Sequence, residues 1–336
     1  MLYHIETEER TAGGHSGTVY ALVRRDIGSR VELWPGRGFN CLRWTVGGHD
    51  LLYAAPDWTN TPLPTRSGVP ILFPFPNRIR NGTFTSGGRT YQLPKNDSAH
   101  ANGIHGFAPR NPWRVFGYGA DVRGAWVHAD FQISADAPEA DDLWPGDGML
   151  SVVCRLAPDR LRVELRVRNM ADVPFPFGVG LHPYFRLPGA DADVSNYILH
   201  APARAVWPLV DSLPTGEKVP VPDDLNWNRP RAIGGMQLDT LYGDLGAIRE
   251  EDGGLLLRAE LGHREQPGRL EVWTTADFRE SVLFVPVHRK AVCLEPYTCA
   301  TDAANLQARG IDAGWRALPP GGQWAGAVEF RWNPAE

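Results

Sequence analysis

Residues Leu161–Val167 read LRVELRV. In an extended chain Leu161, Val163, Leu165 and Val167 point one way, and Arg162, Glu164 and Arg166 the other. This period of two predicts a half-exposed antiparallel strand. Similar segments lie to either side, at Gly17–Arg24, Ser29–Trp34, Met149–Cys154, Leu255–Leu261, Leu270–Thr275, Val282–Val287 and Ala325–Trp332. The chain has 36 glycines and 29 prolines, enough to supply a turn between most of these segments. No segment keeps helical periodicity over roughly a dozen residues. The pattern predicts an all-β fold, a large sandwich or barrel. No linker, low-complexity tract or fixed-period repeat divides the 336 residues, which are read as a single domain, 1–336.

Composition narrows the partners. A net charge of −5, with only three lysines (Lys95, Lys218, Lys290) and no basic run, argues against nucleic acid. No apolar run reaches bilayer length, and MLYHIETEER is polar where a signal peptide is apolar. A cytoplasmic location with no membrane partner is expected. Cys41, Cys154, Cys293 and Cys299 form no CxxC pair and match no zinc spacing, so free thiols are the expectation. Walker, GxGxxG, HExxH and GxSxG signatures are all missing. That leaves a cofactor-free site built from side chains.

The segment best suited to carry such a site is Ala291–Ala304, AVCLEPYTCATDAA. It reads as a short apolar strand ending at Glu295, where Pro296 stops regular pairing. Thr301 or Asp302 would then cap a short helix running to Gly310. A carboxylate fixed at the rim of a core suits a catalytic base, and a solvated strand-end glutamate fits the same residues. Phe177–Leu187, FGVGLHPYFRL, places His182 at a similar strand end; its unperturbed pKa, roughly 6.5, suits a general acid. Gly68–Gly82 delivers Asn77 and Arg78 after Pro74 and Pro76, so that Arg78 can clamp vicinal hydroxyls or an anion. Asn102–Trp113 carries His105, as a donor to a sugar or carbonyl oxygen or as a backbone-bonded loop histidine. Gly234–Gly243 carries Asp239 in a loop-like stretch, as an acceptor for hydroxyls or an ordinary turn aspartate. Such charged groups among tryptophans and tyrosines suit a sugar, whose apolar faces stack on aromatic rings.

In order and content these motifs resemble the aldose 1-epimerase (galactose mutarotase) family. The likeness rests on Asn77-Arg78, the HGF of His105–Phe107, the HPYF of His182–Phe185, the LDxxY of Leu238–Tyr242 and the EPYT of Glu295–Thr298. It implies a large antiparallel β-supersandwich with few short helices. It also implies that Glu295 takes the C1 hydroxyl proton, His182 protonates the ring oxygen and His105 assists. Arg78, Asn77 and Asp239 would bind a small-molecule sugar, with no metal or organic cofactor, in a monomer or homodimer. Glu295 is expected ionised and His182 protonated, both titrating between about pH 5 and 9. The shortened segment HGFAPRNPW resembles the hexose-6-phosphate branch, which makes Arg110 and Arg80 candidate phosphate ligands; the NRI stretch resembles the free-sugar branch. The alternatives are a non-catalytic carbohydrate-binding protein, and a glycosidase using Asp239 and Glu295.

Overall fold

The Leu161–Val167 alternation becomes the strand Arg160–Asn169. Its four apolar side chains are at most 2% exposed, while Glu164 and Arg166 face solvent. The computed structural model describes residues 2–334 apart from 59, 61–63, 98, 100, 141, 159 and 189–192. That strand lies fourth in a ten-stranded sheet. From one edge the order is Arg114–Asp121, Gly124–Gln132, Gly148–Leu156, Arg160–Asn169, Gln323–Asn333, Arg269–Thr274, Leu255–His263, Tyr197–His200 and Arg231–Ala232, with Arg249–Glu251 paired off Leu255–His263.

A second, eight-stranded sheet runs Val219–Pro220, Ala203–Trp207, Asp239–Leu245, Glu280–Phe284, Val292–Tyr297, Gly180–Leu181 and Ile71–Leu72, with Tyr184–Phe185 also on Val292–Tyr297. The inner faces of both sheets share one core, in which Val163, Val272 and Phe330 of the first join Val206, Tyr242, Leu283, Val292 and Leu294 of the second. Each such side chain contributes about 1.5–3 kcal/mol by leaving water. A five-stranded meander, Tyr3–Ala12 to His49–Asp50, completes the architecture. Among the described residues the ladders between strands are antiparallel, and the parallel contact is an isolated Phe73–Gly106 bridge. The helices are short, Ile133–Asp136 and Ala303–Ala308. None is long and apolar enough to cross a membrane. All four cysteines are free and buried.

Three local expectations are corrected. Pro296 does not end its strand: the ladder continues through Ser281–Pro296 to Glu280–Tyr297, so Glu295 lies within the strand. The missing N–H is tolerated because the neighbouring strand breaks there, between Gly180 and Tyr184. Asp239 opens the strand Asp239–Leu245 and is not in a loop. Asp302 occupies the N-cap position of the final helix, but its side chain does not cap it. The Oδ1 atom instead accepts from the Arg80 backbone N–H at 2.9 Å and from Asn305 Nδ2 at 2.7 Å.

The sheet also buries a carboxyl that sequence reading passed over. Glu280 is fully buried, and its Oε2 accepts from Trp207 Nε1 at 2.9 Å. Burial raises its pKa to about 7, against the pull of the Trp207 bond, Lys218 and Arg279. The folded state therefore keeps a proton that the unfolded chain releases at lower pH, and stability falls as pH rises through this window. Glu280→Gln removes that dependence. Relative to wild type, the variant should gain about 3 kcal/mol between pH 4.5 and pH 8, read from urea midpoints across pH.

Candidate active site

Strand register builds the site. Along Val292–Tyr297 the residues Cys293, Glu295 and Tyr297 share the outer face of the eight-stranded sheet. Cross-strand pairs place Phe284 beside Cys293, Val282 beside Glu295 and Glu280 beside Tyr297, and the next strand sets Asp239 beside Phe284. On the other side Tyr184 pairs with Cys293 and Gly180 with Tyr297. The same register, carried through the break between them, sets His182 opposite Glu295. Gly180 has to be glycine, because a Cβ there would fall 2.4 Å from the Tyr297 ring.

The geometry agrees with the register. His182 Nδ1 lies 3.4 Å from Glu295 Oε1. The alignment does not make a hydrogen bond, and Nδ1 has no other partner. Tyr184 stacks flat on the His182 ring at 4.8 Å and 8°, while His105 and Phe284 meet it edge-on. The Tyr297 hydroxyl donates to Glu295 Oε2. The Asn77 side chain lies near the same hydroxyl and works to lower its pKa against the rise from burial.

A second group of residues converges from the loops. Asn77 adopts a left-handed conformation, and its carbonyl accepts from the His105 N–H at 2.8 Å. His105 and Gly106 are also left-handed, and a Cβ on Gly106 would lie 2.2 Å from the Phe73 oxygen. Arg78 donates through Nε to Asp97 Oδ2 at 2.7 Å and through Nη1 to Asn77 Oδ1 at 3.3 Å. Burial works to raise the Asp97 carboxyl, and the Arg78 guanidinium, helped by the Ala99 N–H and Asn102, more than reverses it.

The structure thus brings together Glu295, His182, His105, Asn77 and Arg78. Asp239 lies exposed in the Phe284–Cys293 row, close enough for its charge to help raise Glu295 and Cys293. Both candidate phosphate ligands lie beside protein partners, Arg110 bonded and Arg80 half exposed. Arg110 Nη1 donates to the carbonyls of Ile104 and Gly106, at 3.2 and 3.4 Å, and so holds the His105 turn. Arg80 Nε lies 3.6 Å from Asp302 Oδ2. The tryptophans are largely structural: six of the twelve are among the largest fully buried side chains. Tyr297 escaped sequence reading, although spacing two from Glu295 on a strand signals it. Nothing in the sequence pointed to Asp97.

Burial works against the expected protonation. It raises Glu295 well above the usual carboxylate range; Tyr297 and Arg78 pull it down, and Asp239 adds to the rise. Burial lowers His182 to about 3, with Arg78 adding to the drop. His105 is likewise held well below its usual value by burial, then by His182, Arg110 and Arg78. Burial thus disfavours the charged form of both groups, against the expectation of an ionised Glu295 and a protonated His182. The arrangement can take a proton at one point and deliver one at another without a net change in charge.

The aldose 1-epimerase family model matches residues 37–331. YihR, an uncharacterized protein of Escherichia coli K12, is 25% identical over 244 residues, 72% of each chain. The aldose 1-epimerase of the same organism is 29% identical over 137 residues, covering 40% of this chain and 37% of its own length. A galactose mutarotase-like protein from Clostridium acetobutylicum has a similar structure, with a TM-score of 0.85, 23% identity and 99% of both chains covered. Galactose 1-epimerase from Lactobacillus acidophilus gives 0.77 and 18%, again over 99% of both. At these identities the structural likeness shows a shared fold.

The Arg78–Asp97 pair is nearly dry, with side chains 16% and 5% exposed. Arg78→Gln, Asp97→Asn and the double variant form a cycle. Its coupling should be about 1.5–3 kcal/mol in urea unfolding, with each single change destabilising.

Proposed function

The chain belongs to the aldose 1-epimerase family, and on that premise we propose that it interconverts the α and β anomers of an unphosphorylated hexose by acid–base ring opening and reclosure. The observation that carries this reading is the buried Glu295–His182 pair, 3.4 Å apart, with burial disfavouring the charge of each. Mutarotation needs a proton removed from the C1 hydroxyl and another delivered to the ring oxygen, with no net transfer. In the dry resting site the proton rests on Glu295, since neither group bears charge cheaply there. The hydroxyls of a bound sugar replace part of the lost solvation and favour the ionised arrangement, Glu295 as carboxylate and His182 as imidazolium. Glu295 then accepts the C1 proton while His182 gives its proton to the ring oxygen. The open chain rotates about C1–C2 and recloses on either face, with the two groups exchanging roles.

The remaining residues hold the sugar. Arg78, kept in place by Asp97, has Nη2 without a partner among the described residues, suited to a hydroxyl. Asp239 at the rim accepts from hydroxyls further from the reacting carbon. His105, kept neutral by burial, serves as a donor or acceptor beside His182. The engagement of Arg110 and Arg80 favours a free sugar over a hexose 6-phosphate.

The test is the optical rotation of freshly dissolved α-D-glucose and α-D-galactose, with the uncatalysed rate subtracted. Wild type should speed equilibration, and Glu295→Gln should lose roughly 10²–10⁴-fold. Exchange of glucose 6-phosphate by NMR, with both free sugars silent, would overturn the unphosphorylated substrate.

A second test follows from the proton count. The working form is the pair with one proton. The acid limb requires a second proton on His182, held down to about 3. The alkaline limb is loss of the shared proton, delayed by the raised Glu295. A plot of kcat/KM against pH should therefore stay level down to roughly pH 4 and fall only on the alkaline side. An acid limb near pH 6 would contradict the assignment.

A further inference from the structure

We propose that His182, Cys293 and Glu295 form a binding site for a thiophilic divalent cation such as Zn2+, and that the ion, once bound, silences the proton-sharing pair. One donor atom from each residue lies within 4.8 Å of the others. The sheet creates this arrangement directly. Cys293 and Glu295 are two apart on one strand and project from one face, and His182 stands across from Glu295. Three donors thus approach from one side, and the fourth position is left for water or a sugar hydroxyl. A tetrahedral zinc site with nitrogen, sulfur and oxygen ligands needs donors roughly 3.6 Å apart. The observed span closes to that by inward movements of about 1 Å shared among three side chains.

The site has an unmet need that a cation would answer. His182 is 7% exposed, and its Nδ1 faces Glu295 with no hydrogen-bond partner. Cys293 and Glu295 are fully or nearly fully buried, at 0% and 2%. Neither Cys293 nor Glu295 has a basic side chain dedicated to it, since Arg78 is committed to Asp97. A dication with one thiolate, one carboxylate and one neutral imidazole sums to zero charge, and the two protons displaced from Cys293 and Glu295 pass to water. Tyr297, bonded to the other Glu295 oxygen, would orient the ligand from behind. Sulfur and nitrogen donors favour zinc-like ions, whereas Mg2+ and Ca2+ require a shell of oxygens that this face lacks. Binding would take both Glu295 and His182 out of proton exchange, so the ion acts as an inhibitor.

The decisive experiment titrates metal-stripped protein with Co2+ alone. Wild type should bind one equivalent and develop tetrahedral visible bands with a near-ultraviolet sulfur-to-cobalt charge-transfer band, both abolished by one equivalent of Zn2+. Cys293→Ser should lose the charge-transfer band and bind at least tenfold more weakly, while Cys154→Ser, a control for the other buried thiols, should match wild type. His182→Asn reads the site independently and should also weaken binding at least tenfold. Absence of the band in wild type, or its persistence in folded Cys293→Ser, overturns the proposal. These spectra do not depend on the sugar chemistry. In a separate arm, stoichiometric Zn2+ should suppress wild-type anomer exchange, with recovery on adding EDTA. Equal suppression of Cys293→Ser would overturn the inhibitory role.

Discussion

The structure turns on a carboxyl and an imidazole facing each other across a sheet from which water is nearly excluded. An isolated ion there would be very costly, and the proposed single shared proton avoids that cost, because the neutral pair and the ion pair hold the same number of protons. The rest of the site preserves that balance. Arg78, the nearest strong cation, arrives with its own anion in Asp97. The Tyr297 hydroxyl supplies a bond to Glu295 without adding charge. The site therefore stays close to neutral while keeping two groups able to move protons.

Rigidity comes from two sources. The strand Val292–Tyr297 is held on one side by a continuous ladder to Glu280–Phe284 and on the other by two short pairings on either side of His182. The interruption exposes the His182 edge to Glu295 where ladder bonds would otherwise run. The loops depend on backbone bonds. Asn77 holds the His105 N–H, Arg110 holds the carbonyls on either side of His105, and the Asp302 N–H bonds the Arg78 carbonyl at 2.8 Å. The last of these joins segments more than two hundred residues apart in sequence, and each positions backbone rather than a free side chain.

The sequence made the fold class legible because period-two alternation, as in Leu161–Val167, depends only on which face a residue occupies. The motif order also pointed to Glu295, His182, His105, Asn77 and Arg78 together. Three features stayed hidden for physical reasons. Pro296 reads as a breaker because its missing donor counts only where a neighbouring strand is present, and the local break beside it cannot be read from one segment. Asp97 is nineteen residues from Arg78, in a stretch with no pattern of its own. The protonation of the pair depends on burial, and composition carries no depth. Arg110 misled for a similar reason: an arginine in a loop reads as an anion ligand until its guanidinium is seen on backbone carbonyls.

Charge at the site bears directly on the substrate. A phosphate monoester brings nearly two negative charges at neutral pH, and its binding calls for cations not already neutralised. Arg78 is paired with Asp97, Arg80 lies near Asp302, and Arg110 is turned onto the loop it stabilises. Near the outer row lie Asp239, whose charge repels an anion, the aromatic rings of Tyr184 and Phe284, and the exposed Arg66, close enough for its charge to act on Tyr184. A neutral polyol fits these conditions: its hydroxyls donate to Asp239 and accept from Arg78, and its apolar ring face rests on aromatic carbon. The residues around the Glu295–His182 pair thus also favour the uncharged sugar proposed as substrate, and a single electrostatic constraint links the proposed chemistry to the proposed substrate.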